Sequence, residues 1–198
     1  MEQKKFNFIH NGSFCDTVGS FFNSNDLKIV NEVYFKMKEL DEISNGYEMR
    51  AINTPELVSE GLFCCLFPNM IRVNSNNING SKTSSMDVID INTGDYIQIK
   101  SCKTSEKNKN GGPTSFGPRS EFDKLFFLHI DSEQDKVYFY NVDITDYENW
   151  QINKNQTMLD VQKTGKRPRF NLFVKLKKEQ AKPFYFYDFN TGEGDYCY

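Results

Sequence analysis

Three polar residues interrupt an otherwise apolar, β-branched pattern near the middle of the chain: Asp87, Gln98 and Lys100. The runs Asp87-Val-Ile-Asp-Ile91 and Tyr96-Ile-Gln-Ile-Lys100 flank the turn sequence Asn92-Thr-Gly-Asp95, which is the pattern of an antiparallel hairpin. Side chains alternate along a strand. Gln98 and Lys100 therefore share one face, Ile97 and Ile99 occupy the other, and the partner strand brings Asp87 alongside. A carboxylate and an amide carbonyl are hard oxygen donors that Mg²⁺ accepts while keeping several waters, which leaves positions for a phosphate oxygen and an attacking water. A neighbouring lysine can orient or help deprotonate that water and stabilise charge developing on phosphorus. The same residues on the solvent face of a half-buried hairpin would do none of this, and an Asp followed eleven positions later by Gln-x-Lys does not decide between the two readings.

The elements that must hold this hairpin are legible around it. Leu27, Val30, Val33, Tyr34, Met37 and Leu40 recur at spacings of three and four, which predicts an amphipathic helix over Asp26–Leu40 with Asp26 as its cap. Thr54-Pro55-Glu56 opens a second helix, expected to run to about Leu66 with Leu57, Val58, Gly61, Leu62 and Cys65 buried, and Pro68 ends it. A short strand is expected at Met70–Val73 and further strands at Leu125–Ile130 and Val137–Val142. The polar runs 74–85 and 103–115 read as loops. With no internal repeat, 198 residues are expected to form a single domain of α/β or α+β class.

Composition excludes several functions. No stretch is long and apolar enough for a membrane span, and the N-terminus lacks an apolar signal core, so a cytoplasmic protein is expected. Five cysteines without paired spacing and only two histidines support neither a disulfide framework nor a zinc site. Neither His10 nor His129 is given a chemical role. The net charge is −3, yet 151–183 holds nine basic residues against two acids, which is how a phosphate-facing surface on an acidic protein reads. Within it, Arg167 and Arg169 suit guanine edges, Asn153, Asn155 and Gln156 can pair with bases, and Lys154, Lys163 and Lys166 suit phosphates. The turn Thr114-Ser-Phe-Gly-Pro-Arg119 is a second candidate reader through Ser115 and Arg119, and Lys103, Lys107 and Lys109 could reach phosphate.

Asp87 followed by Gln98-Ile-Lys100 resembles the PD-(D/E)XK nuclease core, with Gln in place of the usual acid. Pro55–Cys64, Ile97–Cys102, Thr114–Pro118, and Asn153–Thr157 followed by Gly165–Phe170 are similar, in the same order, to small type II restriction endonucleases that recognise GCNGC. The resemblance spans roughly residues 50 to 175. It implies a PD-(D/E)XK fold with a mixed central sheet flanked by helices, and Mg²⁺-dependent hydrolysis of double-stranded DNA by a homodimer with one active site per strand. A cognate DNA methyltransferase would be encoded separately. It further implies a metal-binding set of Asp87, Gln98, Ile99 and Glu60, with Glu60 supplying the carboxylate that Gln98 does not, and catalysis by these side chains with Lys100. Two alternatives remain open at this point: a repair or recombination nuclease that reads DNA structure, and an inactive DNA-binding relative.

Overall fold

The computed structural model describes residues 2–49, 51–73, 86–118 and 121–197. A mixed nine-stranded sheet dominates them, in the order β1 (Glu2–His10), β2 (Ser13–Phe21), β3 (Met70–Val73), β4 (Val88–Asp90), β5 (Tyr96–Thr104), β7 (Lys124–Asp131), β8 (Lys136–Val142), β12 (Tyr185–Asp188), β13 (Glu193–Tyr196). Only β5 and β7 pair in parallel; every other neighbouring pair is antiparallel. The expected hairpin is therefore β4–β5, at the centre of the sheet. Its turn is closed by Gly94 at φ 79°, where an added Cβ would lie 1.7 Å from the Ile9 carbonyl oxygen, so only glycine fits against β1.

Alternation along the strands sorts the core into faces. Ile97 and Ile99 of β5, Leu128 and Ile130 of β7, and Val137 and Phe139 of β8 point to one side. There they pack against α1 (Asp26–Gly46) and against a π-helical turn, Leu57–Gly61, that runs directly into α2 (Leu62–Leu66). On the other side, Leu125, Phe127 and Val142 meet Phe116, Trp150, Met158, Leu172, Phe173 and Leu176. Met158 belongs to α3 (Met158–Lys163) and Leu172, Phe173 and Leu176 to α4 (Leu172–Lys178); Phe116 follows the small strand β6 (Thr114–Ser115), which pairs with β11 (Arg169–Phe170), and Trp150 precedes the hairpin of β9 (Gln151–Asn153) and β10 (Gln156–Thr157). A third cluster of Phe8, Ile71, Val73, Met86 and Ile89 lies under β1–β4.

Several expectations need correction. α1 runs to Gly46, and Asp26 is its first residue rather than its cap, its carboxylate accepting from the Asn23 N–H at 3.0 Å. The second helix begins as a wide π turn. The run from Lys103 is no loop at either end, since β5 continues to Thr104 and β6 begins at Thr114. The terminal hairpins β1–β2 and β12–β13 were not anticipated. The expected loop at 74–85 and the candidate reader Arg119 lie outside the described residues. Among the described residues no helix is long and apolar enough to cross a membrane, and all five cysteines are free thiols.

Candidate active site

Asp87 immediately precedes β4, and the register Val88↔Ile97 sets it beside Gln98. The backbone N–H of Ile99 donates to Asp87 Oδ2 at 2.8 Å, and the Gln98 side-chain amide donates to the same oxygen. Gln98 is only 1% exposed, which disposes of the solvent-face reading of this strand. A polar side chain is buried at a cost unless its groups are used. Here the amide serves Asp87 and also faces the Ile99 carbonyl at 3.4 Å. By alternation Gln98 and Lys100 share the face of Cys102, so they form a polar window between the two apolar clusters of that side.

Glu60 comes from the π turn on the Ile97–Ile99 side of the sheet, close enough for the charge of Asp87 to act on it. Arg72 of β3 donates through Nε to Glu60 at 2.7 Å and through a terminal nitrogen to Glu56, one helical turn earlier. The electrostatics follow from this crowding. Burial, and then the negative charge of Asp87, pushes the Glu60 carboxyl up to about 7 against the pull of Arg72. Burial likewise raises Asp87, opposed by Lys100, the Ile99 N–H, Gln98 and Arg72. Burial lowers the Lys100 ammonium, the two carboxylates oppose that, and Arg167 adds to it. A lysine held below its ordinary range gives up a proton more readily than one in water. Its Nζ lies 5.8 Å from the centre of the Phe116 ring.

This donor set suits a small hard cation. Asp87 and Glu60 offer carboxylate oxygens, Ile99 a main-chain carbonyl and Gln98 an amide, without any sulfur or imidazole. A half-buried carboxylate whose proton affinity is raised by a second is what a divalent ion would relieve. In the present orientation Gln98 turns its nitrogen toward Asp87. A half-turn of the terminal amide, which leaves its shape unchanged, would present its oxygen instead. Among the described residues no group of three or more His, Cys, Asp or Glu side chains could hold a metal, so the amide and carbonyl would have to complete any site here.

The candidate readers also converge. β11 pairs with β6, placing Arg169 opposite Ser115 and Phe170 opposite Thr114, and the Phe116 N–H donates to the Pro168 carbonyl at 3.0 Å. Two segments more than fifty residues apart thus form one ribbon, and the approach of Lys100 Nζ to the Phe116 ring, directly after β6, places that ribbon beside the polar window. Asn153, Lys154, Asn155 and Gln156 form the exposed end of the β9–β10 hairpin, where Asn153 donates to Gln156 at 2.9 Å. Lys166 and Lys163 lie on the exposed stretch between α3 and β11 and at the end of α3.

Lys103, expected near phosphate, and two lysines of α4 have structural partners. Lys103 is buried in an ion pair with Asp41 of α1 and donates to the Ile52 carbonyl at 3.0 Å, because its position in β5 points it under the end of α1. Lys175 sits 4.9 Å from the Trp150 ring centre and pairs with Glu179, while Lys177 donates to the Lys109 carbonyl. Both histidines pack: His10 stacks on Tyr96 with ring centres 3.7 Å apart, and His129 stacks on Phe173 at 4.0 Å and bonds Thr104 Oγ1 at 2.7 Å. Arg72 was missed. The signal for it was a lone arginine in the apolar strand Met70–Val73, following a helix with glutamates four apart at 56 and 60.

The hairpin that carries Asp87, Gln98 and Lys100 thus lies beside the β6–β11 ribbon with Ser115 and Arg169. Comparison with known proteins is specific. The profile of the Bsp6I restriction endonuclease family matches residues 22–191. The type II restriction enzyme Bsp6I of Bacillus sp. (strain RFL6) is 33% identical over 144 residues, covering 71% of this chain and 75% of that enzyme. The chain belongs to the Bsp6I restriction endonuclease family, and is a type II site-specific deoxyribonuclease that binds and hydrolyses DNA. No solved structure matches it significantly.

Proposed function

We propose that the chain folds as a single PD-(D/E)XK domain and cleaves double-stranded DNA at GCNGC in a Mg²⁺-dependent reaction, as a cytoplasmic homodimer with one active site per strand. The observation that carries the active-site assignment is the burial of Gln98 against Asp87 within an apolar sheet. An amide so placed is costly as mere packing and apt as part of a ligand set. In this reading Asp87, Gln98, Glu60 and the Ile99 carbonyl hold the ion. When bound, Mg²⁺ polarises the scissile phosphate and offsets the charge that develops in an in-line displacement. Lys100, with its proton affinity lowered by burial, orients the attacking water and accepts or shares its proton. Arg72 fixes the direction of Glu60. The products are a 5′-phosphate and a 3′-hydroxyl, formed without a covalent enzyme intermediate.

Ser115, Arg167 and Arg169 on the β6–β11 ribbon and Asn153, Asn155 and Gln156 on the β9–β10 hairpin read base edges, while Lys154 and Lys166 contact phosphates. The site's two-fold relation is met by two copies of the ribbon, and a methyltransferase of matching specificity protects host DNA. The test is digestion of plasmid DNA in Mg²⁺ with the fragment ends sequenced. Ends confined to GCNGC support the reading; a ladder without preferred ends, or ends at another sequence, rejects the assigned site.

A further inference from the structure

The turn that begins at Ser115 is anchored from three directions. Strand pairing ties it to Arg169 and Phe170. The Phe116 ring, 1% exposed, is locked among Tyr147, Trp150 and Phe170 at centroid distances of 5.4, 6.5 and 5.4 Å. The third anchor is polar: Gln162 of α3 donates from Nε2 to the Gly117 carbonyl at 2.8 Å.

Gln162 is 9% exposed and borders the aromatic cluster, with Nε2 also 3.5 Å from the Tyr147 hydroxyl. A leucine or methionine would fill such a place without desolvating an amide, so the amide has a directional use. Its own position is tightly set. α3 opens with a reciprocal capping box between Thr157 and Asp160, and Thr157 is the last residue of β10. Gln162 therefore links the helix that follows the 153–156 hairpin to the 115–117 turn, while the turn is paired with the strand of Arg169. The amide spans two groups of polar side chains that no strand pairing joins directly.

We propose that Gln162 is a positioning residue for base reading: by holding the Gly117 carbonyl it fixes the height of the 115–117 turn relative to the β9–β10 hairpin, and so sets discrimination between sites. This rests on the assignment of those segments as readers. Base readout by directional hydrogen bonds is lost with displacements of about half an ångström, well within what releasing one tether permits.

The test uses the full chain with Gln162→Met, which keeps the volume and loses the donor, and Gln162→Glu, which keeps the shape and replaces the amide nitrogen by an acceptor. Arg169→Ala serves as a reader control. Single-turnover cleavage is measured in Mg²⁺ on a duplex carrying the site identified by end sequencing, and on the same duplex with one base pair changed. Thermal melting is recorded for each variant. The expected result is a fall of about tenfold in the ratio of the two rates for both Gln162 variants, with the rate on the changed site maintained. A ratio held within about twofold while Arg169→Ala lowers it overturns the role of Gln162, as does a proportional loss on both duplexes. A ratio unchanged by Arg169→Ala as well overturns the reader assignment itself.

Discussion

Replacing Gln98 with glutamate exchanges a buried amide for an acid and puts a direct question to the site. The Gln98 amide donates to Asp87 Oδ2 inside the sheet, at 1% exposure. A carboxylate in its place loses that donor and sets two like charges side by side. At about 4 Å and an effective dielectric constant near 20, the repulsion is about 4 kcal/mol. Without metal, the Gln98→Glu protein must bear that cost or take up a proton, and for a chain of this size about 4 kcal/mol corresponds to roughly 8–16 °C in melting temperature. A divalent ion held between the carboxylates offsets the repulsion. Melting in a chelator and in Mg²⁺ should therefore show a low midpoint that Mg²⁺ raises by clearly more than it raises wild type. Equal midpoints in chelator, or equal Mg²⁺ shifts, would refute both the geometry and the metal assignment.

Three further outcomes follow from particular contacts. Lys103→Met leaves Asp41, 8% exposed, without its cation, and should cost about 3–5 kcal/mol in urea unfolding while leaving the salt dependence of DNA binding unchanged; a lower salt slope would make Lys103 a phosphate contact instead. His129 is held to about 4 by burial, whereas an unfolded histidine protonates near 6.5. Between these values the unfolded chain binds the extra proton, so stability is complete above about pH 6.5 and falls as pH drops toward 4, by no more than about 2 kcal/mol given the ring's partial exposure. His129→Phe should flatten that part of the stability profile, and an unchanged slope would assign it to other groups. Lys166→Ala should reduce the salt slope of binding by about one without altering site preference, while Arg169→Ala should cost about 1–3 kcal/mol at particular base pairs; binding titrations across salt and across single-base variants separate the two.

What could be read from sequence divides along physical lines. The β4–β5 hairpin and the strands β7 and β8 were legible because apolar clusters pack on both sides of the sheet there, so apolar and β-branched residues mark them. The N-terminal hairpin escaped notice because Ile9 and Phe14, cross-strand partners, are 62% and 75% exposed and blur the alternation. Its turn, however, was written plainly as Asn11-Gly12, with φ 49° and 76°. The proximity of Asp87, Gln98 and Lys100 was deducible from strand register, since the pairing is local. The union of β6 with β11 was not, because nothing local to Ser115 or Arg169 states which distant segment each will meet. Arg72 and Gln162 act through partners 12 and 45 residues away, a relation that only the folded chain displays.

If Lys100 acts in the chemical step, on DNA that the protein already holds, its loss is felt in the rate and not in the affinity. Single-turnover cleavage and equilibrium DNA binding should be measured side by side for wild type and Lys100→Ala in Mg²⁺. The expected result is a cleavage rate lower by at least about a hundredfold with affinity changed no more than a few-fold. A Lys100→Ala enzyme that cuts within a few-fold of the wild-type rate would remove Lys100 from the chemical step.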